Sequence, residues 1–284
     1  MQRGLLLNAD DFGRHSLING AVEKGVAEGC LRSASLMPGE PCFSEAVALA
    51  KKYPQLGVGI HFTLVDGNPV TQVGEIPTLV TPEGKFLPNH TAFVKKYLQG
   101  GISLAEVRTE LTAQLDKVLA AGITPTHADS HQHIHILPGI FPIVLDILEA
   151  HGIKRVRTPK VSGRPMDFFT GGLGQIIGRW GLWGISAFGK WQAKGRGFAT
   201  PDYFSGKVAG DAVDEATVLS IVEEMPAGVT EVMLHPGLSN TELVKYSGWE
   251  HDYEAEYAAS CSPKLKVLLD EKGIVPVNYA DMER

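Results

Sequence analysis

The sequence predicts an α/β fold built on parallel strands. Short apolar runs alternate along the chain with stretches whose apolar residues recur at helical spacing. The runs are apolar throughout, as strands buried on both faces of a sheet require, and acidic residues or histidines follow several of them. Strands that alternate with helices form a parallel sheet. The pattern leaves open whether that sheet stays doubly wound and open or closes into a barrel.

The first two elements illustrate the pattern. Residues 4–9, GLLLNA, form a continuous apolar run, and residues 16–29 place Ile18, Val22 and Val26 on one helical face. Further strands are predicted at residues 33–37, 57–64, 125–130, 154–157, 229–234 and 274–278. Further helices are predicted at residues 44–53, 104–121, 141–151, 216–224 and 263–272.

Two segments, residues 66–101 and 163–206, interrupt this alternation. The first is rich in Pro, Gly and Thr, which predicts an excursion over the strand ends, and the second interleaves glycines with aromatic residues. A chain of 284 residues with 44% hydrophobic residues can bury one large core. We therefore expect a single catalytic domain over residues 1–284, with these two segments as inserts.

Composition narrows the classes of partner. The formal net charge of −6 lacks the excess of Lys and Arg that nucleic acid or an anionic membrane demands. Three cysteines at unrelated spacings form no CxxC pair and fit a reducing compartment. The apolar run before Asp10 is shorter than a signal peptide needs, and no stretch reaches the ~20 apolar residues of a spanning helix. A cytoplasmic location is expected, and a homo-oligomer is left open.

Two adjacent carboxylates, Asp10 and Asp11, end the first predicted strand. Buried neighbouring acids repel each other and lose hydration unless a cation or another interaction compensates them. One interpretation makes one acid the cap of the next helix and leaves the other exposed, since Asp is a favoured N-cap residue. The alternative divides the pair between a metal ligand and a general base.

Histidines are densest in the segment THADSHQHIH, residues 126–135. Alternate side chains of an extended strand share a face. In this segment that face would carry His127, Asp129, His131, His133 and His135. Such a face predicts a metal or catalytic site in which one or two histidines reach the ion and the others orient ligands or contact substrate. His61 lies inside the apolar GIHF run. Taken alone it would be interpreted as a hydrogen-bonded core residue, and only the presence of this histidine cluster favours a role as a metal ligand.

His235 ends the apolar VTEVML run and precedes Pro236 and Gly237. It is either a turn residue or, where it faces the same cleft, a general acid, because imidazole titrates near neutral pH. Two histidines and one aspartate with open positions suit a catalytic divalent ion. Such an ion would activate water and polarise a carbonyl, while Asp10 takes a proton and His235 protonates the departing amine. The chemistry predicted is amide hydrolysis.

Other chemistries lack their motifs, since no GxSxG, HExxH or GxxxxGK[ST] pattern occurs. Two rival functions remain open. A metal-dependent phosphodiesterase is disfavoured because few basic residues surround the motifs, and release of acetate against release of phosphate separates it. A catalytically silent sugar- or metal-binding protein would retain its function in an Asp10→Asn variant.

The segments NADDFG, GIHF, DSHQHIH, VRTP and LHPG follow the order found in the YdjC-like carbohydrate deacetylases, and the chain resembles that family over nearly its whole length. The family includes chito-oligosaccharide deacetylases. The resemblance implies an irregular (β/α) barrel, similar to polysaccharide deacetylases, that holds one divalent metal ion, magnesium or zinc. It also implies removal of an N-acetyl group from an amino sugar, in an oligosaccharide or a glycolipid headgroup. Imidazole ligands favour zinc.

The resemblance also assigns roles, and the residues concerned lie at or near predicted strand ends. It assigns Asp11, His61 and His131 to the metal, Asp10 to the general base and His235 to the general acid. It places Arg157 near the site. Arg157, His127, Asp129, His133 and His135 are then expected to bind substrate or to orient the ligands.

A narrower resemblance concerns LVDGNPV, the insert rich in Trp and Gly, and ATPDYFSGK. These segments are similar to hopanoid-biosynthesis-associated deacetylases, which act on a lipid-linked amino sugar. Trp180, Trp183, Phe188 and Trp191 would then form an apolar lip for a lipidic or sugar substrate, with transient membrane contact through the tryptophans. Packing against the barrel is the alternative. Deleting residues 171–194 tests the lip, because equal loss of turnover on chitobiose and on a glycolipid, or no loss on either, contradicts a lipid-specific role.

Overall fold

The computed structural model describes residues 3–160, 173–206 and 212–282, with the backbone alone at residues 173–180 and 182. In this part of the chain seven parallel strands form one sheet in the order β4-β3-β2-β1-β6-β5, and β7 pairs with the start of β1. The strands are β1 (Arg3–Phe12), β2 (Ser33–Leu36), β3 (Gly57–Phe62), β4 (Ala128–Ser130), β5 (Tyr203–Ser205), β6 (Gly228–Leu234) and β7 (Val275–Pro276). The helices are α1 (Ser16–Glu28), α2 (Phe43–Lys52), α3 (His90–Leu98), α4 (Leu104–Ala120), α5 (Ile140–Ala150), α6 (Leu173–Gly195), α7 (Glu215–Glu223), α8 (Asn240–Ser247), α9 (Tyr253–Ser260) and α10 (Pro263–Lys272).

The sheet curls into an irregular barrel. Isolated parallel bridges join Ala128 of β4 to Val156, and Arg155 to Ala199. The chain then runs from Ala199 into β5, which pairs with β6. Pairings therefore pass from β1 through β2, β3 and β4, across these bridges, to β5, β6 and back to β1. The prediction of an α/β barrel with parallel strands is confirmed.

The strand β1 divides its side chains between two environments. Every second residue, namely Leu5, Leu7 and Ala9, lies in the main hydrophobic core together with residues of the surrounding helices. On the other face Leu6 packs in a smaller apolar cluster, whereas Asn8 and Asp10 bond to polar side chains. Because alternate residues point to opposite faces, this second face changes from apolar to polar towards the carboxyl end of the strand. That end carries the candidate site.

The histidine-rich segment departs from the prediction. β4 ends at Ser130, and a 3-10 helix (His131–Ile136) follows in which Gln132 and His133 have φ angles of 52° and 56°. The expectation that residues 127, 129, 131, 133 and 135 share one face of an extended strand is wrong beyond residue 130, because left-handed backbone ends the alternation. The strand predicted at residues 154–157 is likewise reduced to the isolated bridges at Arg155 and Val156.

Both predicted inserts contain a helix that the sequence did not predict, α3 in the first and α6 in the second. The glycines of α6 disfavour a helix, yet Gly189 lets the helix approach Ile136 so closely that a Cβ atom would lie 2.6 Å from its Cδ1. Phe188 and Trp191 stack on each other and are 52% and 70% exposed, so packing against the barrel does not explain them. The side chain of Trp180 lies outside the described residues.

Membrane crossing can be assessed for the described helices. None of them combines the length and the hydropathy that spanning a bilayer requires. Contact of the α6 aromatics with a membrane surface, the single domain and a homo-oligomer stay predictions.

Candidate metal centre

Asp10 and Asp11 face the same region because β1 loses its regular geometry at its end. Neighbouring residues of a regular strand point to opposite faces. The pairing of β1 with β2 changes register between Ala9 and Phe12, and Asp11 has a φ of 60°, which is uncommon for a residue with a side chain. His61 Nε2 consequently lies 3.9 Å from Asp10 Oδ2 and 3.4 Å from Asp11 Oδ1. The strand end thus presents two buried carboxylates together.

Backbone strain is concentrated around these carboxylates. Among the described residues, four that are not glycine have a positive φ: Asp11, Asp66, Gln132 and His133. Such conformations cost of the order of 1–3 kcal/mol each and persist where the surroundings enforce them. Asp66 contacts both Arg14 and His131, and Gln132 and His133 directly follow His131. Strain collects at functional sites in many proteins, so its location supports a site here.

Asp11 Oδ1 is the atom around which two histidines are arranged. His131 Nδ1 lies 2.9 Å and His61 Nε2 lies 3.4 Å from this oxygen, and the three ligand atoms lie within 4.8 Å of one another. The oxygen is buried and accepts no hydrogen bond. A buried polar atom of this kind calls for a partner, and one carboxylate with two imidazoles is a donor set typical of a divalent metal ion. Asp11, His61 and His131 therefore fit the metal site that the resemblance implies.

Further carboxylates orient the two histidines. His61 Nδ1 donates to Asp129 Oδ1 at 2.7 Å, which leaves Nε2 directed at Asp11. Burial lowers the pKa of His61, but the charges of Asp129 and Asp10 outweigh it and raise the pKa to about 10. The surroundings of this ring therefore favour positive charge. Carboxylates that hold the outer nitrogen of a metal-binding histidine are a common feature of metal sites.

The same arrangement occurs at His131, through residues that the sequence reading missed. Its Nε2 lies 3.4 Å from Asp66 Oδ2. Arg14 donates to Asp66 Oδ2 at 2.7 Å and to Asp11 Oδ2 at 3.0 Å, and its Nη1 also approaches His131 Nε2 at 3.3 Å. Arg14 thus ties the ligand Asp11 to the carboxylate that holds the second histidine. The only signal in the sequence was the position of Arg14 just after the acidic pair and of Asp66 just after a strand.

We expect Asp66→Asn to weaken zinc binding by about 10-fold, at the lower end of the range for residues that orient a metal ligand. Asn tolerates the left-handed backbone of residue 66, so the variant removes charge without adding strain. Competition with a chromophoric chelator measures the affinity. Asp116→Asn, which alters a side chain that is 62% exposed, is the matched control. Equal affinities in both variants and the parent would contradict the role of Asp66.

Asp10 is held by a buried arginine. Arg157 Nη1 and Nη2 donate to Asp10 Oδ2 and Oδ1 at 2.7 Å each, and Asn8 Nδ2 donates to Oδ1 at 2.8 Å. Burial raises the pKa of Asp10, but the charges of Arg157 and His61 outweigh it, and the net shift is downward. Asp10 is therefore a fixed, ionised carboxylate beside the candidate metal ligands, as a general base requires.

Arg157 is fully buried and shared among three carboxylates. Besides Asp10 it contacts Asp129 Oδ2 at 2.7 Å and Glu231 Oε1 at 2.8 Å. Of the two roles expected for it, these contacts favour positioning of Asp10 over contact with substrate. Ligand atoms of Asp10, His61 and Asp129 also lie within 4.8 Å of one another. Arg157 bonds both oxygens of Asp10, and Arg157 and His61 occupy the two oxygens of Asp129, whereas Arg14 bonds only Oδ2 of Asp11. The group around Asp11, which keeps Oδ1 free of hydrogen bonds, is therefore the better metal site.

The other three histidines of the cluster differ in whether their ring nitrogens have hydrogen-bond partners. His127 contacts Ser35 and Thr126 and stacks on Tyr279 at a centroid distance of 3.7 Å. His135 lies 2.6 Å from Ser130 Oγ and 3.0 Å from the carbonyl oxygen of Arg157. Burial lowers the pKa of His127 to about 3 and that of His135 to about 4, so both are neutral. They are built into the barrel, whereas His133 keeps a buried Nδ1 without a partner.

His235 directly follows β6, which pairs with β1 up to Ala9. Its backbone N–H donates to Glu256 Oε2, and its Nδ1 lies 3.9 Å from the same oxygen. Burial lowers the pKa of His235, and the charges of Asp10, Glu256 and Asp11 oppose that shift. The ring is 15% exposed, so it borders the solvent-facing side of the site.

A second group of three ligand atoms includes His235. Atoms of His235, His251 and Glu256 lie within 4.8 Å of one another, and the sequence reading noted neither His251 nor Glu256. Glu256 already accepts backbone N–H groups on both oxygens, from Val213 on Oε1 and from His235 on Oε2. Asp11 Oδ1 accepts none. The donor set around Asp11 is therefore the better candidate for a metal ion.

A family model described as YdjC-like protein matches residues 4–271. The chain belongs to the YdjC-like family. Among its relatives are proteins named carbohydrate deacetylase from Geobacillus stearothermophilus, 30% identical over 99% of this chain and 98% of that protein, and from Brevibacillus brevis, 31% identical over 98% and 99%. The predicted membership is confirmed.

The fold of this YdjC-like chain also has a counterpart among solved structures. A crystal structure of an Enterococcus faecalis protein, provisionally described as a cellobiose-phosphate cleavage protein, superimposes with a TM-score of 0.76. The two chains are 23% identical, and the match covers 98% of each. At this identity the likeness concerns the fold alone.

Proposed function

We propose that the chain is a metal-dependent hydrolase that removes an N-acetyl group from an amino sugar. The observation that carries the proposal is the placement of an unpartnered Asp11 oxygen between two histidines, with Asp10 on one side and His235 nearby. The names of the relatives agree with an enzyme of this class. The amino sugar stands in an oligosaccharide or in a glycolipid headgroup, and acetate release from each of the two distinguishes them.

Each residue has a role in this reaction. Asp11, His61 and His131 would hold one divalent ion, for which two imidazoles favour zinc over magnesium. Such an ion lowers the pKa of water and polarises a carbonyl group when bound. Asp10, kept ionised by Arg157, accepts the proton of the attacking water. His235, in its protonated form, donates a proton to the departing nitrogen, so the amide and water yield acetate and the free amine. Release of the proton from Asp10 and uptake of one by His235 from solvent complete the cycle.

The phosphodiesterase alternative finds no support in the arrangement of charges. Phosphate groups need cationic side chains free to contact them. Arg14 is bonded to Asp11 and Asp66, and Arg157 is bonded to Asp10, Asp129 and Glu231. Both arginines of this part of the structure are neutralised by the protein, which favours an uncharged acyl group over a phosphate.

The experiment is an assay of acetate release. Purified protein is stripped of metal, reloaded with zinc or magnesium, and incubated with N-acetylated oligosaccharides and glycolipids, and acetate, phosphate and free amine are quantified. Acetate and amine in equal amounts, dependent on the metal, support the proposal. A parallel incubation uses bis(4-nitrophenyl) phosphate: release of 4-nitrophenol and its phosphomonoester, without acetate from the sugars, would favour the phosphodiesterase. Tight sugar binding without any product would favour a silent binding protein.

A further inference from the structure

Two exposed aromatic side chains border the candidate site. Trp249 is 37% exposed and Tyr246 is 45% exposed. Tyr246 lies in the last turn of α8, and Trp249 follows that helix. The aromatic lip predicted from the sequence lies on α6 and does not include Trp249. Large aromatic surfaces that remain exposed beside a polar site commonly contact a ligand.

Each of the two residues is connected to the candidate site by a contact. The indole of Trp249 is 5.1 Å from the imidazole of His235, centroid to centroid, at an interplanar angle of 86°. The hydroxyl of Tyr246 donates to the carbonyl oxygen of Arg14 at 3.4 Å, and the side chain of Arg14 bonds the candidate ligand Asp11. Trp249 therefore lies against the proposed acid, and Tyr246 contacts the backbone of a residue whose side chain bonds a proposed metal ligand.

Trp249 is also held in place before any ligand arrives. Its ring stacks on His251 at 4.0 Å and 17°, and the edge of the stack meets Tyr253 at 5.8 Å. Its backbone N–H donates to Ser247 Oγ, which in turn contacts the Tyr253 hydroxyl at 3.0 Å. A fixed ring loses little conformational entropy when it binds a ligand. The contacts thus describe a rigid platform with part of its surface open.

We propose that Trp249, with Tyr246 beside it, is the platform on which a pyranose ring of the substrate stacks. The C–H groups of a sugar face carry partial positive charge, and the face of an indole is electron-rich, so the two surfaces attract each other and bury apolar area. Stacking there would place the acyl nitrogen next to His235. The assignment rests on the proposed function and specifies the residue by which the site selects a sugar amide.

The test compares Trp249→Ala and Trp249→Phe on two substrates, N,N′-diacetylchitobiose and 4-nitrophenyl acetate, which has an acetyl group but no sugar. For Trp249→Ala we expect KM for the sugar to rise about 10-fold, in line with about 1.4 kcal/mol of aromatic contact, and values for the ester to stay within about 2-fold. Trp249→Phe should recover most of the loss. Val267→Ala on α10, also an exposed apolar residue, is the control expected to change neither substrate.

Two results would overturn the platform. An equal loss of kcat on both substrates, not recovered by phenylalanine, would mean that Trp249 only supports His251 and His235. Unchanged KM for the sugar would mean that no stacking occurs. Where the wild type releases no acetate from any sugar, the proposed function fails, and calorimetric titration with diacetylchitobiose then decides: binding lost in Trp249→Ala retains the platform, and equal or absent binding rejects it.

Discussion

Replacing Asp10 by Asn should lower kcat for acetate release by about 100- to 10,000-fold, the range that general acid–base catalysis contributes. The side chain keeps its size, and its Oδ1 can still accept from Arg157 Nη2 and Asn8 Nδ2, whereas the amide NH2 that replaces Oδ2 cannot accept from Arg157 Nη1. An amide cannot accept the proton of the attacking water, so the loss should appear in kcat more than in KM. Single-turnover assays with saturating zinc measure it.

The same variant should bind zinc as the parent does, because Asp11, His61 and His131 are untouched. A thermal shift on addition of zinc gives a measure of binding that does not depend on activity. Full activity in Asp10→Asn would remove Asp10 from the proposed reaction. Loss of the zinc-induced shift would instead make Asp10 a ligand, and the division of the acidic pair would be wrong.

Asp11→Asn should abolish both zinc binding and acetate release. The oxygen that His131 Nδ1 and His61 Nε2 approach at 2.9 and 3.4 Å would lose its charge, and two neutral imidazoles are a weak site alone. Loss of a ligand should exceed the 10- to 100-fold effect typical of residues that merely orient ligands. Metal content after dialysis, measured by mass spectrometry, and the zinc-induced thermal shift both report it.

The two variants control each other. They change adjacent residues of the same type in the same way, so a general effect of removing one buried charge should be common to both. Retained zinc in Asp10→Asn and lost zinc in Asp11→Asn would separate the base from the ligand. Zinc bound with the parent's affinity by Asp11→Asn would end the assignment of the metal centre.

The sequence was sufficient for the α/β class, for the parallel strands and for the main candidates of the site. Continuous apolar runs alternating with amphipathic stretches predict parallel strands and helices, since burial on one or two faces sets the period of the pattern. Carboxyl ends of parallel strands meet at one end of a barrel. Asp11 and His61 lie at such ends, so their positions in the strands are enough to predict that they meet, as they do in the structure.

Backbone exceptions and long-range partners were beyond the sequence. Extended geometry was expected through residue 135, but the chain turns at Gln132, because a local reversal depends on the surroundings that enforce it. α6 forms despite its glycines, and at Gly189 the absence of a side chain lets the helix lie close to Ile136 and Phe141, a tertiary contact that intrinsic helix propensity does not report.

The partners of the candidate site residues show the same limit most clearly. Arg157 and Asp10 are 147 positions apart, and nothing in either local segment indicates that they pair. Glu256 and Asp66 belong to no recognisable sequence motif, yet Glu256 lies beside His235 and Asp66 lies beside His131. The sequence by itself determined the parallel strands, the helices that alternate with them outside α3, α6, α8 and α9, and the residue types at the strand ends, because those follow from local patterns of burial. Only the tertiary structure decided which charges neutralise one another and which oxygen is left for a cation, because Coulomb interactions depend on distances that folding creates.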